Sequence, residues 1–331
     1  MVHSPGSIIP PSFASHALQF VQRVQHGISP IELVYTSHER WPFPPGHTTH
    51  TRPTLRISVL DASFNPPTLA HLALANSHPP SSSRSSASAE PYDARLLLLS
   101  VRNADKVLKP RDATIVQRLE MMRLLSLDIR SVDPAQESGG EPSQISGNVA
   151  VAIINEPRFV GKSTVLLRFL QESLATIVES SGSSKCIPNK RDTSEPFPSP
   201  KLTFLLGSDT LVRLFSSKYY PSEQVMLQML RTFLSPDQED CRVMCAYRRS
   251  ASLDETVQAT QDRTLEVAHE FIANGRIEFM DIGAEEQTYS SSEVRAKIAA
   301  GDEKWKQLVT DVIAEYIIER GIYSGLKERE Q

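Results

Sequence analysis

The chain has 331 residues, 40% of them apolar and 22% charged, enough for one large domain or two modest ones around a real core. Its net charge of -4 argues against nucleic acid as the main partner, since phosphate-backbone binding shows as a basic excess. No run reaches the roughly 20 apolar residues of a membrane helix, and no charged-then-apolar secretory signal opens the chain. The three cysteines, Cys186, Cys241 and Cys245, are too few and oddly placed for a disulfide framework, and no second Cys/His pair completes a zinc site. These features predict a protein of the cytoplasm or nucleus, without nucleic-acid or membrane partners.

In chain order, residues 1–54 hold one helical pattern near Ser12–Gln25 and a Pro/His-rich connector, and are set apart as an N-terminal appendage to a domain spanning 55–326. Leu55–Leu60 is a short strand-like run. A helix is expected from Pro67, whose missing N–H costs nothing in a first turn. Arg95–Val101 reads as a buried second strand and Ala113–Leu127 has helical spacing. Val149–Ile154 and Ser163–Val178 are the third strand and helix, and Leu202–Leu206 ends at Gly207 before a further helix. Arg242–Tyr247 and Ile277–Ile282 are later strands, separated by a helix near Leu265–Asn274; helices near Ser291–Ala300 and Lys304–Arg320 close the chain. Segments 76–93, 131–148 and 179–200 are rich in Ser, Pro and other polar residues and read as insertions, because so little apolar surface cannot offset the entropy of ordering. Continuous apolar strands alternating with amphipathic helices predict an α/β fold: an open, doubly wound parallel sheet with helices on both faces. Ligands of such folds bind beyond the carboxyl ends of the strands, near the switch point.

Three segments lie where that geometry puts a ligand. Ser63-Phe64-Asn65-Pro66-Pro67-Thr68-Leu69-Ala70-His71 follows the first strand and enters a helix, whose free N–H groups and dipole would face an anion. Thr68 and His71 share a helix face and can donate to phosphate oxygens, although a capping threonine and a packed histidine are the better explanation of such a pair when it stands alone. Tyr289-Ser290-Ser291-Ser292-Glu293-Val294-Arg295 follows the last strand; Ser290 and Glu293 fit a capping box, and Arg295 can clamp oxygens of a departing pyrophosphate. Gly207-Ser208-Asp209 follows the fourth strand, with a glycine that permits close approach and a carboxylate suited to ribose hydroxyls. Gly161-Lys162-Ser163 looks like the end of a P-loop but is rejected, since Glu156 stands where the first glycine is needed.

The first segment resembles the signature of the nucleotidylyltransferase superfamily, Gly-x-Phe-x-Pro-x-His/Thr-x-x-His, and is most similar to nicotinamide mononucleotide (NMN) adenylyltransferases; the usual leading glycine is Ala62 here. The serine-rich segment is similar to the family's Ile-Ser-Ser-Thr-x-x-Arg motif, Gly207–Asp209 to its Gly-x-Asp, and Glu315–Ser324 to the closing helix of eukaryotic members. The resemblance runs from about Leu55 to Ser324. It implies a Rossmann-like nucleotidylyltransferase fold whose first five strands are ordered 3-2-1-4-5, bringing the His71 and Asp209 segments to one crevice.

It also implies roles. Ser63, Phe64, Thr68, His71, Ser290, Ser291, Ser292 and Arg295 would hold ATP and its phosphates. Lys106, or its neighbour Lys109, would bind phosphate. Phe159 and Thr164 would lie where the pyridine amide is read. Gly207 and Asp209 would meet the acceptor, with Tyr219 or Tyr220 as a stacking surface. The implied reaction joins AMP from ATP to NMN, giving NAD and pyrophosphate, with His71, Lys106 and Arg295 stabilising charge and Mg²⁺ carried in with ATP. The alternatives are another adenylyl- or cytidylyltransferase, and a regulatory protein that binds nucleotide with little turnover.

Overall fold

Among the described residues, runs rich in aliphatic side chains form the strands of one seven-stranded sheet. The structure, a computed structural model, describes residues 9–45, 52–79, 91–102, 111–130, 147–181, 198–246 and 255–324. The strands are β1 (Ile31–Thr36), β2 (Thr54–Asp61), β3 (Ala94–Ser100), β4 (Val149–Ile154), β5 (Ser199–Gly207), β6 (Arg242–Ala246) and β7 (Ile277–Met280). Their order across the sheet is β1-β4-β3-β2-β5-β6-β7. Every pairing is parallel except β1 with β4, which is antiparallel and forms one edge. Counted from β2, the next four strands in sequence give the expected 3-2-1-4-5 order, so β2 and β5 are neighbours where the winding reverses.

The helices are α1 (Phe13–Gln25), α2 (Leu69–Ala75), α3 (Ile115–Leu125), α4 (Phe159–Ser181), α5 (Ser208–Leu214), α6 (Glu223–Leu234), α7 (Glu255–Ala273), α8 (Ser291–Ala300) and α9 (Asp311–Arg320). Alternate strand residues point to opposite faces, and each face has its own core. Leu60, Leu97, Val151 and Leu205 meet α1, α3, α8 and α9 on one side. Ile57, Leu96, Ala152 and Phe204 meet α4, α5, α6 and α7 on the other. Among the described residues no helix is long and apolar enough to cross a membrane.

Several elements differ from the sequence expectation. In the segment set apart as an appendage, Phe13, Ala17, Val21 and Val24 of α1 are buried in the first core, and β1 adds a strand where only a connector was expected. Helix α2 starts at Leu69, not at Pro67, because Thr68 takes an extended conformation as its cap. The closing helix is split: a 3-10 turn over Glu303–Leu308 ends at Val309, whose extended backbone separates it from α9. Helix α6, capped by Ser222 accepting from the Val225 amide, was not anticipated. The three expected insertions fall largely on residues 80–90, 131–146 and 182–197, outside the described residues, as do Lys106, Lys109 and Cys186.

Candidate active site

The carboxyl ends of β2, β3, β5 and β6 open into a cleft of 930 Å³, lined at its base by Leu60, Leu99, Leu205 and Ala246. The exit of β2 shapes its first wall. Ala62, in the place of the usual glycine, donates its amide to Leu98 O at 3.3 Å and so continues the ladder to β3. Among the described non-glycine residues, positive φ occurs at Phe64, Asp240 and Tyr323, so alanine fits position 62 without left-handed strain. Phe64 itself, at φ 44°, is fully buried, and its ring lies 5.3 Å from that of His71. Phe64 therefore packs behind the site, not against a ligand.

Thr68 is also fully buried. Its backbone N–H donates to His71 Nδ1 at 3.0 Å, and its hydroxyl lies 2.9 Å from the same nitrogen. A nitrogen that accepts a backbone N–H carries no proton, so the neutral ring is held with its hydrogen on Nε2. The amides of His71 and Leu72 turn back to Thr68 O. The helix-start donors expected to face an anion are thus partly consumed within the turn, and Thr68 positions His71 instead of touching the ligand. His71 and Ser63 line the cleft.

The α8 segment closes onto this loop from far along the chain. Ser290 caps α8, accepting from the Glu293 amide at 3.1 Å. Ser291 Oγ donates to Pro66 O at 2.7 Å. Arg295 donates from Nη1 to Asn65 O at 2.5 Å and to Ser291 O at 3.2 Å, and from Nη2 to Ser292 Oγ at 3.3 Å, while its Nε lies 3.6 Å from Asp112 Oδ1. Asp112 also faces Arg118, whose Nε donates to Ala113 O at 2.9 Å; burial pulls the Arg118 pKa down, with Tyr323 and Asp112 working the other way. Ser290, Ser291, Ser292 and Arg295 all border the cleft. The guanidinium both fixes the β2 exit loop and contributes charge to the wall.

The opposite wall comes from α4 and the segments after β5. Gly207 caps α5 at φ -85°, and a Cβ built on it would meet nothing within 4 Å, so open space adjoins this backbone. Asp209, Tyr219 and Tyr220 line the cleft; Tyr220 donates its hydroxyl to Leu214 O at 2.9 Å, and burial pushes its pKa up to about 12. Phe159, at the start of α4, stands edge-on to Phe204 at 6.0 Å. Thr164 turns elsewhere: its hydroxyl and that of Ser163 each donate to Glu239, at 2.5 Å, fastening α4 to the turn before β6. Thr164 is thereby removed from the cleft, because residues five apart on a helix do not share the face that Phe159 presents.

The sequence reading missed Asp61 and Lys162. Both line the cleft and form an ion pair whose side chains are 6% and 5% exposed, respectively. Lys162 Nζ also lies 4.8 Å from the centre of the Phe159 ring. The available signal was the i, i+3 spacing of Phe159 and Lys162, which puts both on one helix face. Rejecting Gly161-Lys162-Ser163 as a P-loop hid it.

Over 185 residues the chain is 32% identical to a Schizosaccharomyces pombe protein that is itself an inferred nicotinamide mononucleotide adenylyltransferase. The match spans 56% of this chain and 52% of that relative, so the chain accounts for about half of the relative's length. No protein-family model matches. Two solved structures of the Plasmodium falciparum nicotinic acid mononucleotide adenylyltransferase, complexed with NaAD and with APC, both superpose at a TM-score of 0.41. They are 14% and 12% identical to this chain, cover 82% and 81% of it, and are themselves covered over 98% and 97%. Superposition that loose carries no argument for the fold or the site.

Proposed function

We propose that this protein is an adenylyltransferase that joins the AMP moiety of ATP to NMN, forming NAD and releasing pyrophosphate. The observation that carries the reading is the closure of three distant segments on one cleft: Arg295 and Ser291 bond the backbone of Asn65 and Pro66, and Gly207 and Asp209 face them across the switch point. Sequence similarity to the S. pombe relative supports the same chemistry.

In this reading the NMN phosphate attacks the α-phosphorus of ATP. A phosphate monoester has a second pKa of about 6 and is already largely anionic at neutral pH, so no general base is needed. The protein's work is to align two anions and neutralise charge. His71, held with its proton on Nε2, donates to phosphate oxygens, and Arg295 adds a fixed positive charge. Among the described residues no three His, Cys, Asp or Glu side chains converge on a metal-sized point. Mg²⁺ would accompany ATP and offset the charge of its phosphates.

Purified protein given ATP and NMN should release pyrophosphate and NAD in equal amounts. His71→Ala, with an unchanged circular-dichroism spectrum, should lower the rate by about 10²–10³-fold, the usual cost of losing one preorganised donor. Pyrophosphate release at the wild-type rate from that variant would contradict the role of His71. Tight ATP binding without pyrophosphate release from any phosphorylated acceptor would instead support the regulatory alternative.

A further inference from the structure

The two walls of the cleft differ in chemistry, and the difference bears on which acceptor is taken. One wall carries His71, Ser291 and Arg295 and suits phosphates. The other presents the rings of Phe159, Tyr219 and Tyr220, which suit a flat heteroaromatic ring. Beside Phe159 the Asp61–Lys162 pair is almost wholly buried yet borders the cleft. Among the described residues, Asp61 is the one hydrogen-bond acceptor of an ammonium that has three N–H donors. The Asp61 carboxylate likewise keeps accepting capacity beyond its bond to Lys162.

A buried ion pair is a poor stabiliser, since apolar residues of similar volume hold such a position as well or better. Placed at a ligand cleft, this one has a different use. It offers a cationic donor next to an anionic acceptor. A primary carboxamide offers the complement, a carbonyl oxygen that accepts and an amino group that donates. A carboxylate can only accept, and it would set a second negative charge against Asp61. We infer that Asp61 and Lys162 read the substituent on the acceptor's pyridine ring and select the carboxamide over the carboxylate. The inference rests on the pyridine-mononucleotide reading above.

The test is the ratio of kcat/KM for NMN over that for nicotinic acid mononucleotide, measured on the full chain. The wild type should favour NMN by about tenfold or more, as expected when a competitor leaves buried polar groups mispaired. Asp61→Asn keeps the shape and frees Lys162 to pair with a carboxylate, so the ratio should fall by about tenfold or more. Lys162→Met should move the ratio the opposite way. Loss of folding lowers both rates together and cannot produce opposed shifts. Should an unpaired Lys162 unfold the single variant, the uncharged double variant Asp61→Asn/Lys162→Met should bring the ratio close to one. A wild type that prefers the acid, or a wild-type ratio retained in Asp61→Asn or in the double variant, overturns the inference and leaves the adenylyltransferase reading standing. A wild type that adenylylates neither acceptor overturns that reading, and the inference with it.

Discussion

Asn65 is a buried amide through which three parts of the chain are held at the β2 exit. Its Oδ1 accepts from the Ala113 amide at 3.2 Å and from the Tyr323 hydroxyl at 2.8 Å, while its backbone carbonyl accepts from Arg295. Burial raises the Tyr323 pKa far above the physiological range, so the phenol remains a donor wherever the protein is folded. Tyr323→Phe should cost about 1 kcal/mol in thermal unfolding, the net worth of one hydrogen bond, because it leaves a buried acceptor with one donor fewer. Pyrophosphate release should fall several-fold through the loosened loop; an unchanged melting temperature would show that the bond contributes nothing. At this scale the sequence shows residue types better than directions. His71, Ser291 and Arg295 border the cleft. Phe64, Thr68 and Thr164 share their motifs or neighbourhoods yet turn to the core, to the His71 ring and to Glu239. Adjacent helical positions differ by about 100° around the axis, so membership of a motif does not specify which residue meets the ligand.

Strands were the most legible elements, because β2 to β6 are buried along most of their length and carry short runs rich in aliphatic side chains. Strand β1 was missed for the complementary reason: it lies at an edge, with Ile31 its one buried residue. Helix α6 was legible in retrospect, since Met226, Leu230, Phe233 and Leu234 recur at helical spacing after a serine cap. What no local pattern foretells is the cross-link at the end of the sheet opposite the cleft. There Asp240, just before β6, takes Lys201 of β5 at 2.5 Å and Arg276, just before β7, at 2.7 Å. Burial works against the Asp240 charge, but hydrogen bonds from Lys201 and Arg276 outweigh it and hold the pKa below the ordinary 3.8. A depressed carboxylate stabilises the fold above its unfolded pKa and loses that contribution as pH falls through the folded one. Asp240→Asn should therefore cost about 1 kcal/mol at pH 7, discounted for partial exposure, and less near pH 3, below the ordinary 3.8. Denaturant titrations at both pH values check this; an equal cost at both would remove the electrostatic account. Turnover should be unaffected.

For the whole molecule, β1 and α1 tie the N-terminal segment into the fold. Strand β1 covers the outer edge of β4, whose sequence Val-Ala-Val-Ala-Ile-Ile is buried throughout. Uncovered edges of that composition invite pairing between molecules. A chain shortened to begin at Ser37 should elute as soluble aggregates in light-scattering chromatography, whereas a monodisperse monomer of unchanged melting temperature would show that the edge needs no cover. The pairing of Ile31 with Ile154 also has a consequence in time. A ribosome delivers β1 more than a hundred residues before its partner exists. The nascent chain must therefore carry an amphipathic helix and a lone strand through the synthesis of β2, α2, β3 and α3. Closing so long a loop costs entropy that only late contacts repay, which makes the arrival of β4 the natural point at which this half of the molecule folds.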